Sequence, residues 1–380
     1  MLFTPDQLVQ QIHDTPVRIV LAATGGGSRA IADLLEVPGG SRTLLEAIVP
    51  YSEPAMTAFL SGRPDEFCSA MTARTMAMAA FHRARRYDDR PSAVPAGVAC
   101  TASLATDRPK RGPHRMHLAL QTAALTAAWR LELHKGRRTR VEEERLAGRL
   151  TLNVVAEACG LESRLSLDLL EGETVEASRT AALPPWQDLL LGNVDLVDCE
   201  PRESLAVLKA AVFPGAFNPL HDGHRRMMQI AEEILQQPVT AEIAIVNVDK
   251  PPLDYMEIEG RVGRFVDRPL CLTRAATFEA KSRLFPGATF LVGTDTLQRV
   301  VAPCYYGDSA TACHDALQRI AERGCRFLVF CRRQGNHVAR LSELDLPETL
   351  RAICREVPPE VFCDDISSTA IREAGGDLCL

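Results

Sequence analysis

The sequence predicts an α/β protein built as two domains, and three observations carry that expectation. The chain has 380 residues, too many for one ordinary core and suited to two. A strand, a glycine turn and a helix start are legible over residues 17–35. A second strand, loop and helix follow over residues 210–235.

In the first half, residues 17–22 read as a strand, Thr24-Gly25-Gly26-Gly27-Ser28 as the turn and residues 30–35 as the helix. A helix start leaves N–H groups without partners, so this turn could bind an anion. Residues 162–204 hold Glu171-Gly172-Glu173, Pro184-Pro185 and Pro201 and read as a connector. Apolar residues persist through it, with a short ordered piece expected at 186–191. The expected division is therefore 1–161, 162–204 and 205–380. The basic runs Arg83-Arg85-Arg86 and Lys135-Arg137-Arg138-Arg140 read as solvated faces. A polyanion site is the alternative, opposed by Glu142, Glu143 and Glu144 directly after the second run.

In the second half, the apolar run 210–213 leads into Gly215-Ala216-Phe217-Asn218-Pro219-Leu220-His221-Asp222-Gly223-His224. Met227, Ile230, Ala231, Ile234 and Leu235 then recur at helical spacing. His221 and His224, three apart in the first turn, can aim at the same oxygens, and Gly215 can let the backbone approach a ligand. Far downstream, Ile366-Ser367-Ser368-Thr369-Ala370-Ile371-Arg372 puts three hydroxyls before a short helix, with Arg372 as a planar fork for phosphate. Together the two segments predict a site for a nucleoside triphosphate. Lys250, in Val248-Asp249-Lys250-Pro251-Pro252-Leu253, could meet a phosphate or stand solvated. Tyr305 and Tyr306 could stack on a base or pack in the core, and Arg332 or Arg333 could join Arg372.

Composition narrows the function. A net charge of −6 and a pI near 5.9 argue against a nucleic-acid binder, which needs a basic face. The 12 cysteines are scattered without a C-x-x-C pair. With no apolar leader and no run of membrane-span length, reduced thiols in the cytoplasm are expected, and a zinc site is not.

On His221, Gly223, His224 and the stretch 366–372, residues 205–380 resemble the HxGH nucleotidyltransferases, and within them the nicotinamide mononucleotide (NMN) adenylyltransferases. Leu291-Val292-Gly293-Thr294-Asp295-Thr296-Leu297 also looks like that branch's strand-end Gly-x-Asp element. The resemblance implies a doubly wound, Rossmann-like parallel sheet and transfer of AMP from ATP to NMN or nicotinic acid mononucleotide. It implies that His221, His224 and Arg372 serve catalysis. Gly215, Phe217, Asn218, Gly223, Lys250, Gly293, Asp295, Ser367, Ser368 and Thr369 would hold the nucleotides, with Mg2+ arriving on ATP. A cytidylyltransferase, a transferase with another phosphate acceptor and a non-catalytic nucleotide-binding regulator stay open.

The first domain resembles the C-terminal domain of the CinA-type proteins, which include NMN deamidases, through Thr24-Gly25-Gly26, Tyr51-Ser52 and Gly97-Val98-Ala99. Ala22 stands where those deamidases carry a catalytic serine, and Met56 where they carry a lysine. Neither side chain can act as nucleophile or base, so a silent domain serving assembly or mononucleotide binding is expected. Thr24 and Ser28 are the remaining hydroxyls that could substitute. Such domains commonly self-associate, so a homo-oligomer is plausible.

Overall fold

The computed structural model describes residues 3–88, 90, 92–108, 110–199, 210–247, 251–334 and 337–363. These fall into two compact units, one of residues 1–187 with 249–257, the other of 188–248 with 258–380. Each has its own sheet, and the protein is mixed α/β throughout.

The first unit's sheet contains β1 (Val17–Thr24), β2 (Leu44–Ile48), β3 (Val94–Ser103), β4 (His114–Gln121), β5 (Leu125–Leu133) and β6 (Val175–Ala181). Their order is β2-β1-β3-β4-β5-β6, parallel across β2-β1-β3 and antiparallel from β3 to β6. β1 is apolar and buried along nearly its whole length, as a strand covered on both faces must be. One core includes Leu8, Ile12, Leu34, Leu150 and Val154 of the helices Pro5–His13, Arg29–Glu36 and Arg140–Ala158, packed with alternate residues of β1, β3, β4 and β5. The other contains Ala22, Ala99 and Ala119 with Ala73, Met76 and Ala77 of the helix Ala70–Tyr87. Small residues there let helix and strand approach closely. A Cβ on Gly97 would lie 2.1 Å from the carbonyl oxygen of Ala77, which is why β3 carries glycine at that point.

Two residues expected on solvated faces are instead tied down. Arg83 makes a bidentate pair with Glu46 at 2.7 and 2.6 Å. Arg138 does the same with the buried Glu173, at 2.7 Å to each oxygen. Planar guanidinium matches carboxylate geometry, and the run of basic letters did not disclose these partners.

The second unit's sheet contains β7 (Leu196–Asp198), β8 (Ala211–Pro214), β9 (Val239–Ala244), β10 (Leu270–Thr273), β11 (Thr289–Gly293) and β12 (Arg326–Phe330). After a hairpin of β13 (Arg332–Gln334) and β14 (His337–Ala339) comes β15 (Cys354–Glu356). The order is β15-β12-β11-β8-β9-β10-β7, with every pairing parallel except β10 with β7. From β8 the chain winds outward through β9 to β10, then returns to the far side of β8 for β11, β12 and β15. This is the doubly wound, Rossmann-like arrangement, and its order reverses between β8 and β11. The stretch 162–204, expected as a connector, supplies an edge strand to each sheet, β6 and β7.

Candidate functional site

In an open parallel sheet, ligands bind beyond the carboxyl ends of the strands where the order reverses. Here that crevice lies past Pro214 and Gly293, the last residues of β8 and β11. β8 continues into the predicted loop, where the Gly215 N–H donates to the Glu242 carbonyl of β9 at 2.9 Å. Glu242 is itself fixed, since its buried carboxylate receives Lys281 Nζ at 2.8 and 2.7 Å. The place of the absent Gly215 Cβ lies 2.6 Å from the Phe217 ring, so the glycine makes room for that aromatic side chain.

Phe217 has a positive φ of 45° and is buried, with its ring edge-to-face against Phe213, His224 and Phe265. Its side chain is therefore a packing wedge against His224. Asn218 and Gly223 lie on the same loop and first helical turn, Asn218 half-buried and Gly223 buried. The helix Asp222–Leu235 buries Met228, Ile230 and Ala231, so Met228 takes the core position expected of Met227.

His221 is the cap residue of that helix, and its ring stacks on His224 with centroids 3.7 Å apart. The His221 backbone N–H donates to His224 Nδ1 at 3.4 Å. Burial, with the neighbouring His221 second, lowers the His224 pKa to about 3. A neutral ring accepting at Nδ1 carries its proton on Nε2, so His224 presents a neutral N–H donor. Asp222 and Gly223, in the first turn between the two histidines, carry N–H groups that precede any intrahelical partner. Arg261 Nη1 donates to the Ala216 carbonyl at 3.1 Å, bracing the loop from outside.

Gly293 caps the short helix Thr294–Val300, and a Cβ on it would meet nothing within 4 Å. Space is open above it, and Asp295 is half-buried beside it. Because β11 pairs directly with β8, these residues share the carboxyl edge with His221 and His224. Tyr306 packs against the second unit's core and donates its hydroxyl to the Val300 carbonyl at 2.8 Å, a packing role rather than base stacking. Lys250, Ser367, Ser368, Thr369 and Arg372 lie outside the described residues, as do the side chains of Arg332 and Arg333.

The first unit's strand, turn and helix follow the same logic to a different end. The Glu144 carboxylate accepts from Gly27 N at 3.2 Å, Ser28 Oγ at 3.0 Å and Arg29 N at 3.0 Å. The helix terminus expected to bind an anion is filled by the protein's own carboxylate. Thr24 Oγ1 donates to the Pro50 carbonyl, so both remaining hydroxyls are committed. Ala22 and Met56, where a serine and a lysine were looked for, lie in one buried apolar cluster. A cavity of about 300 Å³ is lined by Met56 with residues including Tyr51, Phe67, Cys68, Thr101 and Lys110.

Sequence reasoning missed Glu144, Phe265 and Arg261. Each acts on a loop far from it in sequence, so no local pattern could have pointed to it.

Comparisons with known proteins give one family match and several solved structures. Residues 212–374 match the family described as Cytidylyltransferase-like. This domain supports nucleotidyl transfer as the class of chemistry and spans the His221–His224 loop. No curated protein matches the chain. Among solved structures, the competence/damage inducible protein CihA from Agrobacterium tumefaciens is 20% identical, with 42% of this chain and 98% of that one covered at a TM-score of 0.34. A CinA superfamily protein from Escherichia coli is 17% identical, covering 41% and 90% at 0.32. Another from Enterobacter cloacae is 15% identical, covering 42% and 94% at 0.33. Among the described residues, no helix is long and apolar enough to cross a membrane.

Proposed function

We propose that the second unit transfers AMP from ATP to the phosphate of NMN, or of its deamidated acid, giving NAD or deamido-NAD and pyrophosphate. The observation that carries this reading is the stacked His221–His224 pair at the end of β8, within the cytidylyltransferase-like region. A phosphate oxygen of the mononucleotide attacks the α-phosphorus of ATP, and the bond to the β-phosphate oxygen breaks in line. No covalent enzyme intermediate forms, so positioning and charge stabilisation do the work.

His224 meets the phosphates with its Nε2–H while His221 stacks beside it, and the first-turn N–H groups of the helix Asp222–Leu235 add donors. Arg372, Ser367, Ser368 and Thr369 hold the departing pyrophosphate. Gly293 leaves room for the nucleoside, and Asp295 accepts from a ribose or base group. Lys250 meets the acceptor phosphate. Magnesium is carried by the triphosphate; among the described residues no group of three or more His, Cys, Asp or Glu could hold a metal. The first unit is non-hydrolytic, because Ala22 and Met56 offer no nucleophile or base, and it serves assembly or mononucleotide binding. Its setting is the cytoplasm.

The description of the matching family favours a second reading, CTP as donor. Pyrophosphate release from ATP and from CTP, each with NMN, nicotinic acid mononucleotide or a phosphate acceptor mix, separates the two. Turnover with CTP alone, or only with another acceptor, overturns the adenylyl assignment.

A further inference from the structure

The loop that delivers His221 and His224 is gripped from outside at two consecutive residues. Arg261, on the helix Tyr255–Val262, donates through Nη1 to the Ala216 carbonyl at 3.1 Å. Phe265, four residues on, sets its ring edge-to-face against Phe217 with centroids 5.1 Å apart. A tight turn fixes the spacing of the two, with the Gly263 N–H donating to the Glu259 carbonyl at 2.9 Å and the Phe265 N–H to the Val262 carbonyl at 3.0 Å. Phe217 needs such a grip. Its φ of 45° lies in the left-handed region that residues other than glycine avoid, and it persists only where the surroundings over-determine it. The same ring meets His224 at 5.1 Å and 77°, so a shift of Phe217 moves the surface on which the imidazole rests. Phe213 at 5.8 Å and His221 at 3.7 Å complete the ring contacts of His224 among the described residues.

We propose that Arg261 and Phe265 are positioning residues for nucleotidyl transfer, acting through Ala216 and Phe217 to hold the His224 ring in place. The inference rests on the transfer reading above and concerns how its donor is aimed. Phe265 reaches His224 through one intervening ring, and Arg261 through the backbone of the residue before that ring. The bond from the His221 N–H to His224 Nδ1 is long, at 3.4 Å, so the ring contacts carry more of the orientation than this bond does. A donor aimed at developing charge works only where its position is fixed beforehand, and a misplacement of about 1 Å can cost 10²-fold in rate. Phe265 is half-buried and Val266 after it is 84% exposed, so the clamp lies at the surface, where it can be altered without opening the core.

The test compares full-length wild type with Phe265→Ala, Phe265→Tyr and Arg261→Ala. It reads kcat, separate KM values for mononucleotide and triphosphate, and the ring 15N signals of His224, assigned by their loss in His224→Gln. Phe265→Ala is expected to lower kcat about tenfold, with both KM values within about threefold of wild type. Its His224 Nδ1 signal moves toward those of the exposed His134 and His314, as the ring is released. Phe265→Tyr keeps the ring and stays within about twofold of wild type, and Arg261→Ala falls between. Urea unfolding checks that each variant is folded in the assay; if Phe265→Ala does not fold, Phe265→Leu, which keeps apolar volume and loses the ring, takes its place. An unmoved His224 signal refutes the clamp, and a moved signal with kcat within about twofold of wild type refutes the positioning role. Equal kcat losses in Phe265→Tyr and Phe265→Ala refute it too, since the aromatic contact is then not what matters. If wild type turns over no donor and acceptor pair, the transfer reading fails, and the His224 signal alone decides whether the clamp holds the ring.

Discussion

The protein contains two strand-loop-helix turns that begin from the same physics and finish differently. At the end of β1 the helix terminus of Arg29–Glu36 is closed by Glu144, which satisfies Gly27, Ser28 and Arg29 at once. At the end of β8 the helix terminus of Asp222–Leu235 carries two stacked imidazoles, one of them a neutral donor. Unpaired N–H groups at a helix start attract negative charge in either case. The two differ in whether the chain supplies that charge itself.

The comparison can be broken most severely at His224. His224→Ala is expected to lower turnover by about 10² or more, the usual cost of removing a donor aimed at developing charge. A loss of less than about tenfold in steady-state assays would remove the second terminus from the chemistry. The first terminus is probed by Glu144→Ala, which strips charge-assisted bonds from three donors. A loss of roughly 1.5–3 kcal/mol in denaturant unfolding is expected. Inorganic phosphate should then stabilise the variant more than wild type, because the vacated N–H and O–H groups donate to it; equal stabilisation would argue that the joint is not an anion seat.

A smaller effect follows from pH. His224, lowered to about 3, and His117, lowered to about 4 by burial and then by Arg115 and Arg130, stay neutral in the folded protein. Unfolded, each takes a proton below its ordinary value of 6.5. The unfolded chain therefore binds more protons in this window. Stability is complete above pH 6.5 and falls as the pH drops toward 3 to 4. Unfolding followed from pH 7 to 4 should show that decline, with a shallower slope in His117→Gln; an unchanged slope would mean that His117 is not buried as described.

These two turns were also the most legible parts of the sequence, because strand, loop and helix are consecutive there. Residues 17–22 and 30–35 became β1 and the helix Arg29–Glu36, each extended slightly. The Phe217 role was not legible, since a loop phenylalanine reads alike whether it faces a ligand or wedges under a histidine. Glu144 was read as a counter-charge to a basic run. Its partners lie more than a hundred residues earlier, and only the fold brings them together. The pairing of Asp254 with Arg74, and of Tyr255 with Thr126 and Ala123, was hidden for the same reason. Ala22 and Met56, by contrast, were readable as apolar side chains, and the structure buries both in one cluster.

The smallest effect is therefore expected at Ala22. Ala22→Ser should release no ammonia from NMN, because Met56 still fills the lysine's place in the apolar cluster. Ammonia release by this single variant would show that the first unit's pocket needs only its nucleophile.

The most direct test of the central claim, that the second terminus is the working site, is chromatographic detection of product from ATP, magnesium and NMN or nicotinic acid mononucleotide. The account predicts one dinucleotide and equimolar pyrophosphate with wild type, and almost none with His224→Ala. Dinucleotide formed equally by both proteins, or by neither, would contradict it.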